Sequence, residues 1–274
     1  MEDLVARIEA LARTRGCAVA QLRLLDLGAG SGNYFSALRA RRCNVRYCGL
    51  EYSQGMIDQF RQKVAGTEGS ADGNATFVLK QCDLTKLPLP LERGNFDVVI
   101  ATQVMHHLSI DSDGPNAHAA AYALIEEIGN RLLSEADGSF FWCQTQTRAQ
   151  HSKDGFWWSV ITPEASRKLG NRFPPMDAFV ESLRNGGRFA RVESHVPAGT
   201  LMCEDMYLDV EGPFSEKWRN CDSNWAMCSA EELETGLRKL RQMVDAGEIE
   251  AFMAAREEAR ARTGQTTTVV ATKT

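Results

Sequence analysis

No stretch of this 274-residue chain is long and uncharged enough to span a bilayer. The opening Met1-Glu2-Asp3 is not the basic segment and apolar core of a cleaved leader. A dense run of lysine or arginine is also missing. Arg39, Arg41 and Arg42 come nearest, and at a net charge of −5 the chain lacks the basic face that nucleic acid needs. The eight cysteines, Cys17, Cys43, Cys48, Cys82, Cys143, Cys203, Cys221 and Cys228, show neither the spacing of a disulfide framework nor that of a zinc knuckle. Adjacent His106 and His107 would diverge by about 100° on a helix, which makes them a poor chelating pair. Repeats and low-complexity tracts are absent. The expectation is a reduced, cytoplasmic protein with no membrane or nucleic-acid partner and no metal. Its oligomeric state is not readable from these features. The composition is 43% hydrophobic and 24% charged, ordinary for a chain that buries one substantial core, so residues 1–274 are expected to form a single domain.

The strongest local signal is LLDLGAGSGNYF, from Leu24 to Phe35. Leu22, Leu24, Leu25 and Leu27 form an apolar run of strand length, and Asp26 precedes three glycines, Gly28, Gly30 and Gly32, with Ala29 and Ser31 between them. Glycines at alternate positions let the chain turn sharply and bring bare N–H groups against a ligand, beside the positive end of the helix that follows. A dinucleotide fingerprint would put its third glycine at position 33, where the chain has Asn33. The spacing therefore argues against a pyrophosphate cradle. DLGAGSG resembles the first motif of class I S-adenosylmethionine-dependent methyltransferases, in which an acidic residue precedes a G-x-G-x-G loop.

Read in order, the chain alternates strand and helix signals. Leu4, Ile8 and Leu11 give an N-terminal amphipathic helix, which would either cover a pocket or pack on the sheet. Val45 to Leu50 reads as a second strand closed by Glu51. Ser53 is a candidate N-cap for a helix whose apolar face holds Met56, Ile57, Phe60 and Val64. The loop Gly66–Asn74 precedes a third strand, Thr76 to Cys82, and Asp83 stands at its end. Pro88 and Pro90 exclude a helix before Phe96 to Ile100, a buried fourth strand. An alanine-rich helix from Asn116 and a fifth strand from Ser139 to Gln144 follow. This order predicts an α/β fold with a mostly parallel sheet and helices on both faces. Further on, Phe189 to Val196 and Thr266 to Ala271 read as strands. Thr162-Pro163 looks like a helix start, Ser229 with Glu232 looks like a capping box, and two amphipathic helices up to Gly264 are expected to pair as a hairpin.

The resemblance covers residues 20–144 well and the last strand weakly. It implies a Rossmann-like doubly wound sheet of seven strands, the last antiparallel, with S-adenosyl-L-methionine as cofactor. Asp26, Gly28, Ala29, Gly30 and Gly32 would line the cofactor, and Glu51 would accept from the ribose hydroxyls. Tyr52 or Met56 would pack on the adenine, while Asp83 and Leu84 would read its edge. Asn95 to Val99 resembles the fourth motif, and Thr102 and Gln103 follow at the edge where such folds place ligands. Several of these positions have competing local readings: the glycine loop as an ordinary glycine-rich turn, Glu51 as a helix cap, Met56 as core, and Asp83 as a turn former.

Acceptor chemistry is less legible. Phe156, Trp157 and Trp158 sit between polar residues and, with insertions at about 145–175 and 200–263, suggest a helical cap over a small organic acceptor. Tyr207, Phe214, Trp218 and Trp225 are further candidates, and aromatic core is the competing reading for each. His106 or His107 could serve as general base, or be buried structural histidines. Cys143, Cys203, Cys221 and Cys228 leave room for a soft-element acceptor, without a defensible spacing. The motifs of DNA-methylating branches, Asn-Pro-Pro-aromatic and Pro-Cys, are absent. The leading expectation is a small-molecule methyltransferase acting by in-line displacement. Its alternatives are a non-catalytic cofactor-binding sensor and, behind that, an NAD-dependent oxidoreductase, which would share the fold but not the glycine spacing.

Overall fold

Strands at the centre of this protein carry apolar residues on both faces, because each face is covered. In the computed structural model, which describes residues 1–65, 77–110, 114, 116–197, 199, 201–202 and 204–273, the order is α1 (Glu2–Thr14), β1 (Arg23–Leu27), α2 (Asn33–Ala40), β2 (Arg46–Glu51), α3 (Gln54–Ala65), β3 (Phe77–Gln81) and β4 (Val98–Thr102). Then come α4 (Ala119–Glu127), β5 (Phe140–Thr145), α5 (Pro163–Asn171), α6 (Met176–Asn185) and β6 (Arg191–His195). The chain ends with α7 (Glu204–Leu208), α8 (Glu216–Arg219), α9 (Ser223–Ala226), α10 (Ala230–Asp245), α11 (Ile249–Thr263) and β7 (Thr267–Thr272). The seven strands form one sheet in the order β3-β2-β1-β4-β5-β7-β6, with β7 antiparallel to both its neighbours. The expected sheet and its antiparallel last strand are both present.

Alternation sorts the strand residues between two cores. Leu24, Val98, Ile100, Phe140, Trp142 and Val270 face one side with Leu4, Ile8 and Leu11 of α1 and with Phe35 and Phe60. Leu25, Leu27, Val99, Ala101, Phe141 and Cys143 face the other with Leu124 and Ile125 of α4 and Phe179 and Leu183 of α6. Helix α1 thus packs on the sheet, and its Asp3 accepts a hydrogen bond from the Trp142 indole at 2.9 Å. The strict alternation of strand and helix fails at one place. Residues 82–97, between β3 and β4, contain no helix, as the prolines require. That link is fixed instead by α4 and the turn after it: Glu127 accepts from Leu89 N at 2.9 Å, and Arg131 donates to the carbonyls of Leu89 and Leu91. The loop 66–74 and Thr76 lie outside the described residues.

A third cluster belongs to the insertion. Phe156, Trp157, Trp158, Ile161, Tyr207, Trp225 and Leu240 are buried together, with Leu237, Val244, Ile249 and Phe252 around them. Helices α10 and α11 pair in this cluster, and α11 stops at Gly264, where φ is +71°. The Ser229 cap is present, with its hydroxyl accepting from Glu232 N at 3.1 Å, but the reciprocal half of the capping box is not formed. The Glu232 carboxylate instead accepts from Glu164 N and Ala165 N at 2.7 and 3.1 Å, so it caps α5 across space. Thr162, the expected cap of α5, turns its hydroxyl back to Trp158 O at 3.0 Å.

Asp97 pins the amino ends of β1 and β4. Its carboxylate accepts from the Arg15 guanidinium and, at 2.7 Å, from Arg23 N, and the residue is buried. Removing one member of such a buried pair strands the other. Asp97→Ala should cost about 3 kcal/mol of stability, read as a lower urea midpoint at unchanged slope.

Candidate functional site

Parallel strands that share a direction end on one edge, and β1, β2 and β4 bring their carboxyl ends together there. The glycine loop leaves β1 at this edge. Gly28 has φ +76°, and a Cβ there would lie 2.7 Å from Val104 Cγ2; Gly32, which caps α2, has φ +79°, and a Cβ there would meet the Phe60 ring at 2.6 Å. A Cβ on Gly30, by contrast, would meet open space. Gly28 N and Ala29 N donate to Leu50 O at 2.8 and 3.0 Å, which draws the loop against the end of β2.

Glu51 closes β2 and engages both carboxylate oxygens. Oε2 accepts from Gly30 N at 2.9 Å and Oε1 from Ser53 N at 2.8 Å. The helix-capping alternative is therefore realised at Ser53, together with a clasp on the glycine loop. Tyr52 and Met56, on the same rim, are 71% and 42% exposed. Asp83 Oδ1 accepts from Thr85 N at 2.9 Å and Thr85 Oγ1 at 2.7 Å, which is the turn-forming role. Those Thr85 bonds hold the Asp83 carboxyl below the usual carboxylate range. Leu84 beside it is buried.

Asp26 is not at the loop surface. It is 1% exposed, takes a hydrogen bond from the Tyr47 hydroxyl, and leaves Oδ1 without a partner among the described residues. Burial raises its carboxyl to about 7 against the Tyr47 bond, with Glu51 adding to the rise. At the end of β4, Gln103 adopts φ +52°, and its backbone N–H donates to Gln144 O at 2.8 Å. Its side-chain Nε2 is buried and has no partner among the described residues. Thr102, just before it, is half-buried.

The turn after β4, Met105–Leu108, carries the two histidines with ring centroids 4.0 Å apart. His106 also lies against Phe173 at 4.7 Å, is 6% exposed, and has an unpartnered Nδ1. Burial, helped by neighbouring His107, His151 and Arg172, pushes His106 well below the usual imidazole value. His107 is lowered by burial and by Arg172, with Glu51 opposing. Both rings are therefore neutral at pH 7. They line a cavity of about 270 Å³ with Leu169 and Arg172 from the end of α5 and with Ser223, Ala226 and Met227 of the insertion.

Helix α9 is fixed there by Asn224, fully buried. Its Oδ1 accepts from Ser166 Oγ at 2.7 Å and lies 3.3 Å from His151 Nε2, while its Nδ2 donates to Thr162 Oγ1 at 2.8 Å. Phe156, Trp157 and Trp158 do not line this cavity. Trp157 is 0% exposed, its indole donates to Tyr207 O at 2.8 Å, and the three rings form the interior of the insertion with Tyr207 and Trp225. Phe214 and Trp218 pack against the same cluster. No cysteine is among the described residues that line this cavity. Cys143 lies in mid-sheet, fully buried, and burial drives its thiol upward; Cys203 lies outside the described residues. Among the described residues no group of three His, Cys, Asp or Glu side chains could hold a metal, and no helix is long and apolar enough to cross a membrane. Arg172, Ser223 and Met227 were not singled out from sequence. They lie far along the chain from the glycine loop, and no local spacing announces them.

The raised Asp26 has a consequence for stability. The folded protein keeps a proton on Asp26 that the unfolded chain, near 3.8, gives up. Its contribution is therefore complete below about pH 4 and is lost as pH rises to about 7. Asp26→Asn should match the parent in stability at the acid end and exceed it by up to about 4 kcal/mol at pH 8, measured by urea unfolding across pH without added ligand.

The family model described as a methyltransferase domain matches residues 25–130. No curated protein sequence matches the chain. Among solved structures, the chain is similar to a protein from Anabaena variabilis described as a methyltransferase from an antibiotic biosynthesis pathway, at 17% identity and a TM-score of 0.67, covering 97% of this chain and 96% of the other. It is also similar to a protein from Galdieria sulphuraria described as a sarcosine dimethylglycine methyltransferase, at 16% identity and a TM-score of 0.52, covering 99% and 86%. Phosphoethanolamine N-methyltransferase 2 of Haemonchus contortus, solved with S-adenosyl-L-methionine, matches at 13% identity and a TM-score of 0.51, covering 98% of this chain and 52% of that one. At these identities the likeness to solved structures is one of fold. Residues 25–130, with the glycine loop at the carboxyl edge of the sheet, thus match a methyltransferase domain, and the whole chain shares its fold with solved methyltransferases.

Proposed function

We propose that this protein is an S-adenosylmethionine-dependent methyltransferase serving a small-molecule acceptor held between the carboxyl edge of the sheet and a helical cap formed by the insertion. The observation that carries this reading is the cavity of about 270 Å³ in which the histidine turn after β4 faces Ser223 and Met227 of the insertion. Such a space suits a small organic molecule rather than a polymer.

The residues at the crevice fit the cofactor. The loop from Gly28 to Gly32 offers backbone without side chains, and Asp26 Oδ1 and Gln103 Nε2 are buried polar atoms that lack partners among the described residues. Ala29 and these groups would hold the amino-acid end, with Thr102 beside them. Glu51 would accept from the ribose hydroxyls with the lone pairs that Gly30 and Ser53 leave free. Asp83 and Leu84 would meet the adenine edge, and exposed Tyr52 and Met56 offer it an apolar face. When bound, the cofactor supplies a methyl group already activated on a sulfonium sulfur. The chain then has to orient the acceptor, exclude water and, for a protonated nucleophile, take up a proton. His107 and His106, neutral at pH 7, are the groups in the cavity that can take one.

Calorimetry with S-adenosylhomocysteine tests the cofactor assignment. Glu51→Ala and Asp83→Ala should each weaken binding roughly ten- to hundredfold, the worth of a hydrogen bond to a charged group. Unchanged affinity in both would overturn the site. Tight binding with no methyl transfer across a broad acceptor panel would leave a sensor. If His107 is the base, turnover should persist as pH falls through 6.5, the ordinary imidazole value, because its lowered pKa keeps the ring neutral there. The pH profile of kcat/KM, compared with that of His107→Gln, checks it.

A further inference from the structure

We infer that the acceptor carries an anionic group, a carboxylate or a phosphate monoester, and that Arg172 receives it; this rests on the methyltransferase reading of the same site. Arg172 follows α5 and lines the cavity between the histidine turn and Met227. Its Nε is buried without a hydrogen-bond partner, and no carboxylate lies within ion-pair distance of its guanidinium among the described residues. The Nε atoms of Arg148 and Arg256 are also buried without a hydrogen-bond partner among the described residues, but Arg256 donates to Lys153 O and lies 3.8 Å from Asp154, and neither residue lines this cavity; three further arginines are paired. Arg15 is held by Asp97, Arg131 by Glu127 and two carbonyls, and Arg260 by Glu257.

Arg172 is half-buried with its Nε shielded from water, and the fork of donors of a guanidinium matches the oxygens of a carboxylate or phosphate. Nothing else in the cavity competes for the anion as a cation, because His106 and His107 are neutral. No carboxylate lines it, since the remaining lining is Leu169, Ser223, Ala226 and Met227. The Ser223 hydroxyl can donate to the same anion. The cavity thus has a cationic end at Arg172 and a neutral, proton-accepting end at the imidazoles. An acceptor fixed at the first by its anion would offer its nucleophile near the second.

The test uses the full chain loaded with S-adenosylhomocysteine. Binding of that product is measured first by calorimetry, so a failure of the methyltransferase reading appears there and separately. Inorganic phosphate and acetate are then titrated at constant ionic strength while the imidazole carbon-bound protons of His106 and His107 are followed by NMR. At least one of the two anions should give a saturable shift that chloride does not. Arg172→Gln should weaken that binding tenfold or more, and Arg172→Lys should recover part of it, with S-adenosylhomocysteine affinity unchanged in both variants. Preference for phosphate would identify a phosphate monoester, and preference for acetate a carboxylate. Absence of a saturable shift with either anion, or equal binding in Arg172→Gln, would overturn the inference. So would an equal loss of S-adenosylhomocysteine affinity in Arg172→Gln, which would assign the guanidinium to the cofactor's own carboxylate.

Discussion

The Glu51 carboxylate accepts from Gly30 N with one oxygen and from Ser53 N with the other, which joins the turn after β1 to the start of α3. A loop with three glycines at positive φ has little reason of its own to keep one shape, since glycine loses more freedom on ordering than any other residue. Here its course is set from outside. Leu50 O takes the N–H groups of Gly28 and Ala29, and Glu51 takes that of Gly30. The end of β2 thus shapes the loop after β1, and it can do so because parallel pairing places Leu27 opposite Leu50. Helix α2 then begins at Gly32 under the Phe60 ring of α3, so the same two units are locked a second time.

What could be read from sequence follows from how local each signal is. The glycine loop, Glu51 and Asp83 are found at strand ends because an apolar run followed by a glycine or a carboxylate is a feature of a few adjacent residues. The seven strands, with helices on both faces of the sheet, are legible for the same reason. Signals that depend on a partner far away were not. Ser229 and Glu232 have the spacing of a capping box, but the Glu232 carboxylate found the free N–H groups of α5, and Thr162, freed of that duty, bonded backward to Trp158. Phe156, Trp157 and Trp158 look like a pocket wall among polar neighbours in sequence. They became the interior of the insertion because Tyr207, Trp225 and Leu240 arrive from more distant stretches to cover them. Arg172 has no sequence signature, since its character comes from what does not stand beside it.

Two buried aspartates at opposite ends of the central strands show the contrast between a paired and an unpaired carboxylate. Asp97, just before β4, has both oxygens taken by Arg15 and Arg23 N. Asp26, in β1, has one oxygen on Tyr47 and one on nothing among the described residues. The first lies at the amino ends of the strands, the second one residue from the carboxyl end of β1. Unpartnered buried polar atoms each cost about 1–3 kcal/mol, so folding alone does not favour leaving them. Yet Asp26 Oδ1, Gln103 Nε2 and His106 Nδ1 all fall at or just after the carboxyl ends of β1 and β4. A stable fold could have paired Asp26 as completely as it paired Asp97. It does so at the amino ends of the strands and not at the edge where the glycine loop clears space. A guest at that edge that restored their hydrogen bonds, as the proposed cofactor would, would also stabilise the fold.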